Sequence, residues 1–161
     1  MISHKNFGFT LIEIILTIAI MSIIVGSSYA ALIRFSNQQT LNSAYEVLKN
    51  NLNLAKSLAS SQVTDCSTDY TLVGYQMTFP TSNTYSIDAV CQASSGPPQL
   101  KNARTSELPP GITITYTQSP ILFLVISGEV QDNPPEGARI TLTGSNGSAR
   151  SLTVFPNGRI E

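Results

Sequence analysis

Polar and apolar positions divide the chain into three stretches with different periods. Residues 9–33 are mostly Ile, Leu, Val, Ala and Met, with no polar stripe. As a helix this stretch spans about 37 Å, more than a hydrocarbon core of about 30 Å. Beyond Arg34 the pattern becomes amphipathic. Leu41, Ala44, Tyr45, Leu48, Leu52, Ala55, Leu58 and Ala59 recur at three- and four-residue spacing and share one helical face. Asn42, Glu46, Lys49, Asn50, Asn53 and Lys56 fall mainly elsewhere, as a solvated face. Proline is absent from 1–79, so no residue forces a break at the membrane surface. The pattern predicts one helix over about 9–61, about 80 Å long, with Gly26-Ser27-Ser28 its weakest stretch by propensity.

From Cys66 the period changes to that of strands. Segments 70–79, 85–91, 111–116, 121–127, 139–143 and 151–155 are rich in Ile, Val, Thr, Tyr and Phe. Pro80, Pro109-Pro110-Gly111, Asn133-Pro134-Pro135, Gly144-Ser145-Asn146-Gly147 and Pro156-Asn157-Gly158 punctuate them. Ile112-Thr113-Ile114-Thr115 and Ile140-Thr141-Leu142-Thr143 alternate, so one face of the sheet needs a cover. The amphipathic half of the helix is available for that role. The expected fold class is therefore α+β: a long N-terminal helix packed on a C-terminal antiparallel sheet or two-sheet sandwich.

Length and composition narrow this further. A chain of 161 residues fits one modest domain plus an appendage. Charged residues make up 12%, about half the usual share of roughly 25%. The net charge of −1 argues against a generally nucleic-acid-binding body, since phosphate binding needs clustered Lys and Arg. The single histidine, His4, precedes the apolar run, and the two cysteines, Cys66 and Cys91, follow it. An even pair beyond such a segment reads as a disulfide; two buried free thiols are the alternative. A bridge would close a loop of about 25 residues, worth roughly 3.5 kcal/mol on the chain-entropy model.

Between Lys5 and Arg34 the only charged side chain is Glu13. An ionised carboxylate in a bilayer core costs about 2.5–3.5 kcal/mol on insertion scales, less near the interface. Lys5, with no acidic residue nearby, favours a cytoplasmic N-terminus, and Arg34 on the far side weakens that bias. An ordinary secretory signal is the rival for this segment. Ser28-Tyr29-Ala30 would serve as its cleavage site and Ala31 as the new terminus.

The sequence Lys5-Asn6-Phe7-Gly8-Phe9-Thr10-Leu11-Ile12-Glu13, followed by the apolar run, resembles the leader and helix of type IV pilins and type II secretion pseudopilins. The resemblance covers about the first 35 residues. It implies cleavage between Gly8 and Phe9 by a prepilin peptidase and N-methylation of Phe9. It also implies that Glu13 pairs with the terminal amine of a neighbouring subunit and sets the register of a filament. The implied segments are a leader (1–8), a transmembrane and filament-core helix (9–33), an amphipathic helix half (34–62) and an exported β-rich domain (63–161). The implied partners are other pilin subunits, the peptidase, an inner-membrane assembly platform and the lipid bilayer. The implied location is the bacterial inner membrane, single-pass with the globular domain outside, and then a pilus or pseudopilus.

The pieces Gly111-Ile112-Thr113-Ile114, Ser127-Gly128-Glu129-Val130 and Val154-Phe155-Pro156-Asn157-Gly158-Arg159-Ile160 are similar to the GspH/FimT class of minor pilins. That resemblance implies a subunit at or near the filament tip that helps start assembly. The alternative is a tip subunit that binds DNA or surfaces during uptake or adhesion; some such subunits bind DNA, and Arg139, Arg150 and Arg159 are the positions that could do so here. Solvated strand residues are the plainer reading of the three. The mature chain would lack histidine, which removes Ser-His-Asp and Cys-His catalysis and His-ligated zinc. No enzyme, cofactor or metal is expected.

Overall fold

A computed structural model describes residues 10–62, 66–93, 96–132 and 134–161. One helix, α1, runs Leu11–Ser60 without interruption, as the absence of proline predicts. By internal contacts the chain divides into two compact units, Met1–Ser36 and Asn37–Glu161. In the second unit α1 buries Leu41, Ala44, Leu48, Leu52, Ala55 and Ala59, with Tyr45 and Leu58 half-buried beside them. This is the stripe read from the three- and four-residue spacing.

Seven strands follow: β1 (Tyr70–Thr78), β2 (Thr84–Ala93), β3 (Gln99–Glu107), β4 (Ile112–Tyr116), β5 (Ile121–Leu124), β6 (Ala138–Gly144) and β7 (Ala149–Val154). They form two antiparallel sheets, ordered β3-β2-β1-β5 and β4-β6-β7. The two-sheet form of the expectation is the one realised. Alternation sets which side chains turn inward. Tyr75, Met77, Tyr85, Ile87, Ile121 and Phe123 from the first sheet share one core with Ile114, Ile140, Leu142, Leu152 and Val154 from the second. The buried face of α1 belongs to the same core.

The opposite face of β2 is also buried, but with polar groups. Ser86 Oγ donates to Asp88 Oδ2 at 2.9 Å, and Thr78 Oγ1 lies 2.8 Å from Ser86 Oγ. Asp88 is 7% exposed, so these hydroxyls offset the loss of water at its carboxylate.

β3 was not among the expected strands. Gln99-Leu100-Lys101-Asn102-Ala103-Arg104-Thr105-Ser106-Glu107 has one large apolar residue and no alternation. It lies at a sheet edge, where pairing with β2 supplies its order and burial asks little of its side chains.

Candidate functional site

The N-terminal end of α1 is built from Thr10. Its carbonyl accepts from Glu13 N at 3.1 Å and from Ile14 N at 3.3 Å, and its Oγ1 accepts from Glu13 N at 3.4 Å. Thr10 therefore caps the helix, and Glu13 is the third helical residue. Thr-x-x-Glu is the capping-box spacing, a helix-start signal legible in the sequence. Glu13 also sits in the first turn, where the unpaired amides of the helix favour negative charge.

Other polar side chains along this stretch satisfy themselves. Thr17 Oγ1 donates to Ile14 O at 2.9 Å, and Ser22 Oγ donates to Ile18 O at 2.8 Å, so neither needs water. Glu13 is exposed, and among the described residues its carboxylate has no hydrogen-bond or ion-pair partner. Around it Leu11, Ile12, Ile14, Ile15, Leu16 and Ile18 are all exposed, Ile12 to 75%. A continuous apolar surface of this kind requires lipid or another protein. The helix is long and apolar enough to cross a membrane. Gly8 and Phe9, the expected processing residues, lie outside the described residues.

Within the second unit, Cys66 and Cys91 are bridged, with Cα atoms 5.7 Å apart and no free cysteine. The free-thiol alternative is set aside. The bridge ties the segment after α1 to β2.

The three arginines do not gather on one surface. Arg139 faces outward from β6 opposite Thr153, whereas Arg150 pairs with Leu142 in the inward-facing row. Arg150 lies 4.5 Å above the Tyr45 ring and donates to Asn42 Oδ1 at 2.8 Å, which fastens β7 to α1. Arg159 stacks on Phe155 and pairs with Glu161 at 3.3 Å.

The Ser127-Gly128 and Asn157-Gly158 segments meet against the end of α1. Val130 N donates to Pro156 O at 2.8 Å, and Lys56 Nζ donates to Gly158 O at 2.9 Å. Two residues of this unit escaped the sequence reading. Lys56 falls on the solvated face by its spacing, yet its ammonium reaches the Gly158 carbonyl. Asn51 lies three residues after Leu48 and four before Ala55, so its place on the buried face was legible. Its Nδ2 donates to the Tyr85 hydroxyl at 2.7 Å inside the core.

The architecture defines a class: one apolar-tipped helix whose second half packs under a two-sheet domain. Residues 3–29 match the family model described as the prokaryotic N-terminal methylation motif. That match and the fold support a type IV pilin-like protein of the prepilin type. The motif implies a structural subunit that assembles with other pilin subunits and is processed by a prepilin peptidase. With the apolar helix it fits an inner-membrane anchor. No curated protein and no solved structure matches the chain.

Proposed function

We propose that this chain is a minor pilin or pseudopilin that assembles through its N-terminal helix. It enters the inner membrane with the N-terminus cytoplasmic and the β-rich domain outside. It is cut between Gly8 and Phe9, methylated on Phe9, and drawn into a type IV pilus or secretion pseudopilus.

One observation carries the reading. Glu13 is a charged residue with no side-chain partner among the described residues, on a helix surface otherwise made for lipid or protein. In a single subunit the carboxylate costs insertion energy, about 2.5–3.5 kcal/mol if it reaches the bilayer core. In a filament, the amine of a neighbouring Phe9 supplies the missing charge and fixes the axial step between subunits.

A place at the filament tip, as an initiator of the GspH/FimT kind, is the finer part of the proposal. The paired Gly128 and Gly158 turns give the segments behind that resemblance a shared structural task, which supports it.

Glu13→Ala tests the function. The variant is expected to insert in membranes at the wild-type level and to be absent from sheared filaments. Wild-type incorporation would refute the assembly role of Glu13.

A further inference from the structure

The two sheets have four edges, and the chain's own backbone meets three of them. β5 is bordered by 129–131, with Leu124 N donating to Glu129 O and Gln131 N to Leu122 O. The C-terminal segment borders β7, where Thr153 and Glu161 exchange both backbone bonds. On β4, Ile114 N donates to Ser82 O. β3 differs. It pairs with β2 from Gln99 to Glu107, and among the described residues no strand lies on its other side. Gln99, Leu100, Arg104 and Glu107 are exposed, and the strand holds no proline or glycine. An open edge of nine residues is a template for an added strand.

Register gives this edge a charge preference. Ile87 pairs with Arg104 and Asp88 with Asn102, so Ala103 is an extra residue in a bulge. Lys101 pairs with Ala89 and Arg104 with Ile87, two alternate positions on one face of β2. The bulge thus brings both cations to the same face; a regular strand would place residues three apart on opposite faces. Arg104 has no ion-pair partner among the described residues. A recess opens at each end of the strand, one beside Cys91, Gln99 and Leu100, the other beside Asn83, Glu107 and Pro109. Strand addition draws affinity from the backbone and specificity from such side-chain sites.

We propose that the open edge of β3 accepts an extended, acidic strand from a neighbouring filament subunit, with carboxylates facing Lys101 and Arg104. This rests on the filament reading above. Leu108 N donates to Asn83 O, so by alternation the amide of Glu107 points to the open side. Glu107→Pro removes that donor at a position where an edge strand tolerates proline. Arg104→Glu reverses the charge without touching the backbone, and Arg104→Lys keeps it.

The full-length chains are expressed in cells that build the cognate filament, and their recovery in sheared filaments is measured. Unfolding of each detergent-solubilised chain is followed alongside. Arg104→Glu and Glu107→Pro are expected to unfold like wild type and to lower recovery about tenfold or more, with Arg104→Lys near wild type. Normal recovery of Arg104→Glu overturns the proposal and leaves the filament reading standing. Absence of the wild-type chain from filaments overturns both. A wild-type dimer in detergent that Glu107→Pro dissolves assigns the edge to a second copy and overturns the acidic partner.

Discussion

Gly128 and Gly158 have left-handed backbones, at φ 64° and 74°, and touch where two turns close over α1. A Cβ on Gly158 would lie 2.1 Å from the Gly128 carbonyl oxygen, a distance that backbone must move to relieve. Gly147 provides an internal comparison, since its φ is 78° but a Cβ there meets nothing within 4 Å. Gly147→Ala should cost about 1–2 kcal/mol, the left-handed penalty alone. Gly158→Ala should cost that plus about 1–3 kcal/mol of repacking strain. Denaturant unfolding of the two variants in detergent checks the order, and equal losses would show that the close approach carries no weight. The Asn51–Tyr85 bond is tested differently. Asn51→Ala strands a buried hydroxyl and should cost about 1–3 kcal/mol. Adding Tyr85→Phe should cost less than the sum of the singles, because the stranded group is gone. Additive losses would mean that the two side chains act independently.

At the scale of elements, α1 was the most legible part of the chain. Its length follows from the absence of proline, and its buried stripe from the spacing of Leu41, Ala44, Leu48, Leu52, Ala55 and Ala59. Six strands were legible because they carry inward-facing apolar residues, although β5 ends at Leu124 and not at 127. Its continuation turns back through Gly128, whose N–H donates to Leu124 O, and the Ser127-Gly128 pair is the local turn signal, although the turn it closes begins two residues earlier. β3 stayed hidden because an edge strand needs few apolar side chains. At the N-terminus, Glu13 stood out by charge, whereas its cap partner Thr10 was overlooked among apolar neighbours. The arginines show the limit of one-dimensional reading: strand parity turns Arg139 and Arg150 to opposite faces, and sequence distance does not reveal that. The processing of α1 can be read directly by mass. Intact-protein mass spectrometry of membrane-extracted material should find a chain beginning with N-methylated Phe9. A chain beginning at Ala31 would instead mark an ordinary secretory signal.

For the whole molecule, the two units present different demands. The unit Asn37–Glu161 holds its own core and a disulfide, and the buried Asn51, Ser86 and Asp88 are hydrogen-bonded within it, whereas Gln118 Oε1 is buried without a partner among the described residues. The unit Met1–Ser36 exposes apolar side chains along the described part of α1, and the Glu13 carboxylate has no partner among the described residues. A membrane answers the first of these demands, and another subunit with a free amine answers both. Glu13 also stands at the capping-box spacing from Thr10, a position suited to a second, helix-end task, although it is its N–H and not its carboxylate that bonds Thr10. Glutamine separates the two tasks: it fits the same capping position but carries no charge to pair with an amine. The decisive measurement is the recovery of full-length Glu13→Gln in sheared filaments, beside wild type and Glu13→Ala. If Glu13 acts through charge pairing between subunits, Glu13→Gln inserts normally yet is lost from filaments as fully as Glu13→Ala. If Glu13→Gln enters filaments like wild type, the carboxylate serves only the helix end, and the assembly mechanism proposed for this chain is wrong.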